Sequence, residues 1–234
     1  KDYYGAIADY TKAIEISPNY SYAYASRGNT KFYLENYNGA IADFTKAIEI
    51  KPDYDYAYNR RGMSKEYLED YYGAIADYTK AIEIDLNYGY AYTNRADTKR
   101  KLEDYYGAIA DYTKAIEIDP NDEFSYIFRG ISKKDLEDYN GAMVDYTKAI
   151  ELNPDDDFYY ALRGDVKKIL EDYYGAIADY TKAIEIDPSY EYAYAFRGVS
   201  KEELGDLNGA CADWKEAVKL GYDDAVKWVA DQCN

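Results

Sequence analysis

Histidine is missing from this 234-residue chain, and cysteine occurs only twice, as Cys211 and Cys233. Without an imidazole the chain lacks the usual general base near neutral pH and the commonest zinc ligand. The two thiols do not make a disulfide framework. Cys211 stands where other copies of its segment carry Ile or Met, so it reads as core filler, and Cys233 is one residue from the end. Such usage points to a reducing, cytoplasmic compartment. Positive charge is also scarce, with 28 Lys and Arg against 45 Asp and Glu and a net charge of −17. That balance excludes nucleic acid and an anionic membrane surface as partners and favours basic ones. No apolar run approaches the roughly 18–20 residues that span a bilayer, and no signal peptide is visible. The glycines form no phosphate-binding loop. The run Asp155-Asp156-Asp157 lacks the glycine and terminal glutamate of a calcium loop and reads as a polar turn. We therefore expect no catalytic residues, no metal and no cofactor.

What the chain does have is repetition. DYYGAIADYTKAIEI, Asp2–Ile16, returns unchanged at Asp70–Ile84, Asp104–Ile118 and Asp172–Ile186, with looser copies from Asn36, Asp138 and Asp206. Its glycine falls at Gly5, Gly39, Gly73, Gly107, Gly141, Gly175 and Gly209, always 34 residues apart. All five prolines share one phase, at Pro18, Pro52, Pro120, Pro154 and Pro188. Within each period, apolar residues at helical spacing predict one helix over about Tyr22–Leu34 and another over about Ala40–Ile50. Asn36, or Asp at that phase, caps the second helix, and Pro52 ends it. The short ENYN turn makes the pair antiparallel. One hairpin leaves an apolar face that only the next hairpin covers.

A 34-residue helix–turn–helix carrying Gly28, Ala40, Phe44, Ala47 and Pro52 at these intervals resembles the tetratricopeptide repeat (TPR) family, over essentially the whole chain. The first helix departs from the family pattern, reading Tyr24, Arg27, Gly28 and Lys31, and Ala96 replaces the glycine of the third repeat. The resemblance implies an all-α, right-handed α-solenoid of stacked antiparallel helix pairs. We expect one continuous domain: residues 1–20 as a lone second helix, six units at 21–54, 55–88, 89–122, 123–156, 157–190 and 191–224, and 225–234 as a capping helix in which Trp228 fills the aromatic slot. The pair Arg27/Lys31 and its copies sit four residues apart, about opposite Asp43 and its copies, so we expect an Arg–Asp ladder. At the start, Tyr3, Ile7, Tyr10 and Ile14 lack cover. We expect either a longer protein upstream of Lys1 or self-association into a homo-oligomer through this uncapped helix.

The resemblance also implies that first helices line a concave groove that binds a protein or peptide. Sequence variation concentrates there. In the first three repeats the groove phase reads Asn29, then Asn59, Arg60 and Met63, then Asn94, Asp97 and Arg100, a polar set with amides able to hold a peptide backbone. In the last three it reads Ile127, Phe128 and Ile131, then Leu162, then Phe196 and Val199, an apolar set. Phe128, Leu162 and Phe196 occupy slots that hold Ser26, Arg60 and Asn94 elsewhere, which argues for exposed anchors. Tyr22, Phe124 and Phe158 read as packing. Some family members grip a C-terminal carboxylate with Lys, Asn and Arg. Asn29 resembles one of those residues, but Arg60 and Ala25 stand where Asn and Lys are needed, so that ligand class is rejected. The expected function is a non-catalytic interaction scaffold. Its rivals are a module cut from a larger regulatory protein or enzyme and a self-assembling structural protein.

Overall fold

The computed structural model describes residues 2–233, and the terminal Lys1 and Asn234 of the first and last expected segments lie outside them. The described residues form helices and turns, without a strand, in two compact units. The first unit, residues 1–120, holds α1 (Tyr3–Ile16), α2 (Ser21–Tyr33), α3 (Tyr37–Ile50), α4 (Asp55–Glu66), α5 (Tyr71–Ile84), α6 (Gly89–Lys101) and α7 (Tyr105–Ile118). The second, residues 121–234, holds α8 (Glu123–Asp135), α9 (Tyr139–Leu152), α10 (Asp157–Ile169), α11 (Tyr173–Ile186), α12 (Glu191–Glu203), α13 (Leu207–Leu220) and α14 (Ala225–Gln232). Inside each unit, consecutive helices pack as neighbours in antiparallel pairs.

Local chemistry fixes each hairpin. The first helix ends in a six-to-one bond, Asn36 N–H to Lys31 C=O at 2.9 Å, with Glu35 N–H on Phe32 C=O at 2.9 Å. This Schellman closure needs a left-handed residue after the helix. Here that residue is Glu35, at φ 58°, and Glu69, Glu103, Glu137 and Glu171 repeat it. Only the last full repeat uses a glycine, Gly205. At the next residue, the cap side chain starts the second helix: Asp70 Oδ1 accepts from Gly73 N–H at 3.0 Å, and the other copies do the same. The second helix stops at Lys51, whose successor Pro52 cannot continue it.

The shared aromatic of the second helix forms the heart of each repeat. Phe44, Tyr78 and Tyr112 in the first unit, and Tyr146, Tyr180 and Trp214 in the second, are buried. Each contributes roughly 1.5–3 kcal/mol of apolar burial. They fit because the facing helix offers almost no side chain: a Cβ at Gly62 would stand 2.7 Å from the Tyr78 ring. The third repeat accepts Ala96 there, buried against a still-buried Tyr112.

The ladder expected from the sequence is present at every full repeat. Arg95 grips Asp111 with two bonds, Nη2 to Oδ1 at 2.6 Å and Nε to Oδ2 at 2.8 Å. Lys99 Nζ adds a third contact at 2.8 Å. The pairs Arg27–Asp43, Arg61–Asp77, Arg129–Asp145, Arg163–Asp179 and Arg197–Asp213 repeat this, each with its Lys. The aspartate hydrogen bond raises the pKa of Arg27 and Arg163, against the opposing effect of burial. Arginine also reaches back one repeat: Arg95 Nη1 donates to Thr79 Oγ1 at 3.0 Å, and Arg27–Thr11, Arg61–Thr45, Arg163–Thr147 and Arg197–Thr181 match it. The basic stripe is therefore spent on structure.

The ends differ from the middle. No residue of α1 is fully buried, but Tyr3, Ile7, Tyr10 and Ile14 are half-buried, with Tyr3 stacked on Tyr33 of α2. At the other end Trp228 on α14 meets Trp214 at 5.7 Å and Tyr222 at 6.0 Å, filling the aromatic slot. The cysteines overturn the sequence reading. Cys211 and Cys233 form a disulfide, their Cα atoms 5.5 Å apart. The α13–α14 hairpin brings them together, which spacing alone does not reveal, and the argument for a reducing compartment loses its basis.

Two predictions follow from this geometry. A left-handed L-residue costs about 1–2 kcal/mol, partly offset by glycine's unfolded-state entropy, so Glu103→Gly and Glu137→Gly should each stabilise by about 0.5–1 kcal/mol. Thermal unfolding checks this; a fall in Tm would contradict it. Closing a 22-residue separation with the disulfide contributes about 3 kcal/mol on the loop-entropy account. Ala225 is the only residue α14 fully buries, so reduction should free the helix, red-shift the Trp228 fluorescence and open the tail to protease. An unchanged spectrum would show that packing alone holds it.

Candidate functional site

The candidate surface is the face made by the first helices of each unit. Second helices carry the repeated letters, and their inner residues are consumed by the aromatic cores and the ladder. First helices differ from repeat to repeat, and several of the differing side chains keep solvent exposure.

In the first unit, α2, α4 and α6 present the polar set. Arg60 donates through Nη2 to Asn29 Oδ1 and through Nη1 to Met63 Sδ at 3.4 Å. Its guanidinium lies 4.6 Å from the Phe32 ring centre and 5.6 Å from that of Tyr33, so it stacks as well as bonds. Asn94 Nδ2 donates to Asn59 Oδ1 at 2.9 Å, and Asn59 Nδ2 donates to Tyr88 Oη at 3.3 Å. Burial pushes the Tyr88 hydroxyl up to about 12, so it stays protonated. Asn59 is a correction: it is only 3% exposed, because its amide is drawn in by Asn94 and Tyr88, so it braces the surface rather than meeting a ligand.

Further along, Glu66 accepts from Tyr78 Oη at 2.8 Å and pairs with Lys101 at 2.7 Å. Asp97 accepts from the Tyr112 hydroxyl through Oδ1. Burial, helped by Glu66, raises the Asp97 pKa, while Tyr112, Arg100 and Lys101 pull it down without cancelling the rise. Glu66, Tyr67 and Lys101 were not among the residues singled out from sequence. Their signal was weak, since Glu66 and Lys101 fall at the ends of their helices, where charge usually means solvation.

In the second unit, α8, α10 and α12 present the apolar set, with several corrections. Ile127 is 2% exposed and Leu162 is 9% exposed, both inside the core cluster with Tyr159 and Val166. At the Leu162 slot, Arg60 of another repeat is half-buried and runs to Asn29 and the Phe32 ring, whereas the shorter aliphatic chain sits in the apolar interior. A position that accepts arginine is thus not necessarily outside. Phe128, Ile131, Phe196 and Val199 are half-buried. Phe196 packs on Tyr192 at 4.3 Å and lies under Lys168 Nζ at 3.9 Å. Burial lowers the Lys168 pKa, with Asp165 opposing. Tyr22, Phe124 and Phe158, expected as packing, are instead 51%, 58% and 45% exposed. They stand at the starts of α2, α8 and α10, where cover is only partial: Tyr22 meets Tyr54 at 5.1 Å and also Lys51.

No helix among the described residues is long and apolar enough to cross a membrane. In the acidic run, Asp156 Oδ1 caps α10 by accepting from Phe158 N–H at 3.1 Å. Among the described residues no group of carboxylates or cysteines is arranged to hold a metal.

The tetratricopeptide repeat models match residues 21–54, 55–88, 89–122, 125–156 and 159–190, well over half of the chain. No curated protein matches the sequence. Among solved structures, the C-terminal part of a TPR repeat-containing protein from Cytophaga hutchinsonii is 19% identical, with a TM-score of 0.83 over 97% of this chain and 94% of that one. YrrB, described as a TPR protein with an unusual peptide-binding site, is 23% identical, with a TM-score of 0.69 over 79% of this chain and 95% of its own. MamA is 25% identical, with a TM-score of 0.67 over 70% and 96%. The chain belongs to the tetratricopeptide repeat family, whose repeats act as protein–protein interaction scaffolds.

Proposed function

We propose that this protein binds an extended segment of a partner protein along the first-helix face, holding it without chemical change. One observation carries this reading. First helices expose Tyr22, Tyr33 and Tyr90 in the first unit and Phe124, Phe158 and Ile169 in the second, and one of these slots changes from Tyr33 to Ile169 between repeats. Aromatic groups with one open face suit a binding surface, since they bury large area at low entropic cost. The half-buried Arg60, Met63, Asn94, Asp97 and Arg100 would supply polar contacts, and Ile131, Phe196 and Val199 apolar ones. YrrB, which shares the fold, is described by its peptide-binding site.

The test is site-specific photo-crosslinking in extract of the source organism. A benzoyl-phenylalanine replaces either Phe158 on a first helix or Tyr72, 78% exposed on second helix α5. The expected result is a partner band from the Phe158 position and none from Tyr72. Equal crosslinking at both, or only copies of the protein itself at either, would contradict groove binding.

A further inference from the structure

The first unit holds a cleft of about 440 Å³ between α4, the α4–α5 turn and α6. Met63, Tyr67 and Tyr71 wall it, and Glu66 and Asp97 supply its carboxylates. Lys101 shows what the cleft can hold. Its ammonium sits 2.7 Å from Glu66 Oε1 and 5.9 Å from the Tyr71 ring centre, a cation placed between a carboxylate and an aromatic face. The side chain of Lys101 is 47% exposed, so it lies at the rim rather than plugging the cleft. Acceptors remain. Asp97 spends Oδ1 on Tyr112, and neither its Oδ2 nor Asn94 Oδ1 has a hydrogen-bond donor among the described residues. The cations already nearby, Lys101 and Arg100, do not offset the burial of Asp97 and its proximity to Glu66. The whole chain adds a net charge of −17, which draws cationic segments from solution.

We propose that this cleft is a specificity pocket for the side chain of an arginine or lysine in the bound segment. Resting on the groove reading above, the pocket has the aliphatic stem lie along Met63 and Tyr67 while the cationic head meets Asp97, Glu66 and Asn94 Oδ1. Arginine fits better than lysine, because its planar fork can bond two acceptors at once and stack on tyrosine.

The experiment is selection of peptides from a random display library on the intact chain, followed by fluorescence anisotropy with the enriched peptide. Enriched peptides should share one basic position. Replacing that residue by citrulline, which keeps the shape and loses the charge, should weaken binding at least tenfold on the unaltered protein. The near-isosteric pair Glu66→Gln/Asp97→Asn should erase the difference between the arginine and citrulline peptides, with its circular dichroism unchanged. If peptides are enriched without a shared basic position, or citrulline binds equally, the pocket assignment fails and groove binding stands. If no peptide is enriched, both fail.

Discussion

A buried aspartate held by an arginine and a lysine is the interaction on which the rest of this structure depends. Asp111, its side chain 5% exposed, would be costly to desolvate alone. The bidentate Arg95 and the ammonium of Lys99 make it tolerable, and Arg95 then hands its remaining nitrogen to Thr79 of the repeat before. One side chain thereby sets both the hairpin's internal register and its spacing to a neighbour. Exposed pairs such as Lys114–Glu117 offer little by comparison, since solvent screens them.

That device explains why the chain is so repetitive. Each full unit provides the same arginine, lysine and aspartate at the same phases, and all but the last, which has Lys215 there, provide the threonine that docks the next hairpin. The aromatic beneath them and the small residue opposite are constrained in the same way. The outer phase of the first helix escapes these constraints, and much of the variation between repeats falls there.

Much of this was legible in the sequence. The 34-residue period, the Asp and Asn caps, the proline stops and the ladder all rest on contacts inside one repeat or between adjacent ones, which spacing encodes. The candidate surface was read less well, because exposure there depends on how deep a side chain reaches. Leu162 and Arg60 share a slot, yet leucine is buried in the core cluster while arginine stays half-buried against Asn29 and Phe32. Asn59 looked free until its amide was seen bonded to Asn94 and Tyr88. Phe124 and Phe158 looked like packing, yet they sit at helix starts with about half of each ring exposed. The Cys211–Cys233 bond depends on how α13 and α14 meet, which no spacing rule for two cysteines reveals. Five glutamates in the left-handed conformation were equally silent, since the usual signal there is glycine.

The most direct test of the ladder's role is a double-mutant cycle at Arg95 and Asp111, read by urea unfolding. Arg95→Met leaves Asp111 with Lys99 alone, so the cost should be about 2–4 kcal/mol, somewhat below that of fully orphaning a buried charge. Asp111→Asn should cost a similar amount, and the double variant should cost clearly less than the sum, giving a coupling above about 1 kcal/mol. Small, additive losses below about 0.5 kcal/mol would mean that packing alone sets the repeat and that the ladder merely decorates it.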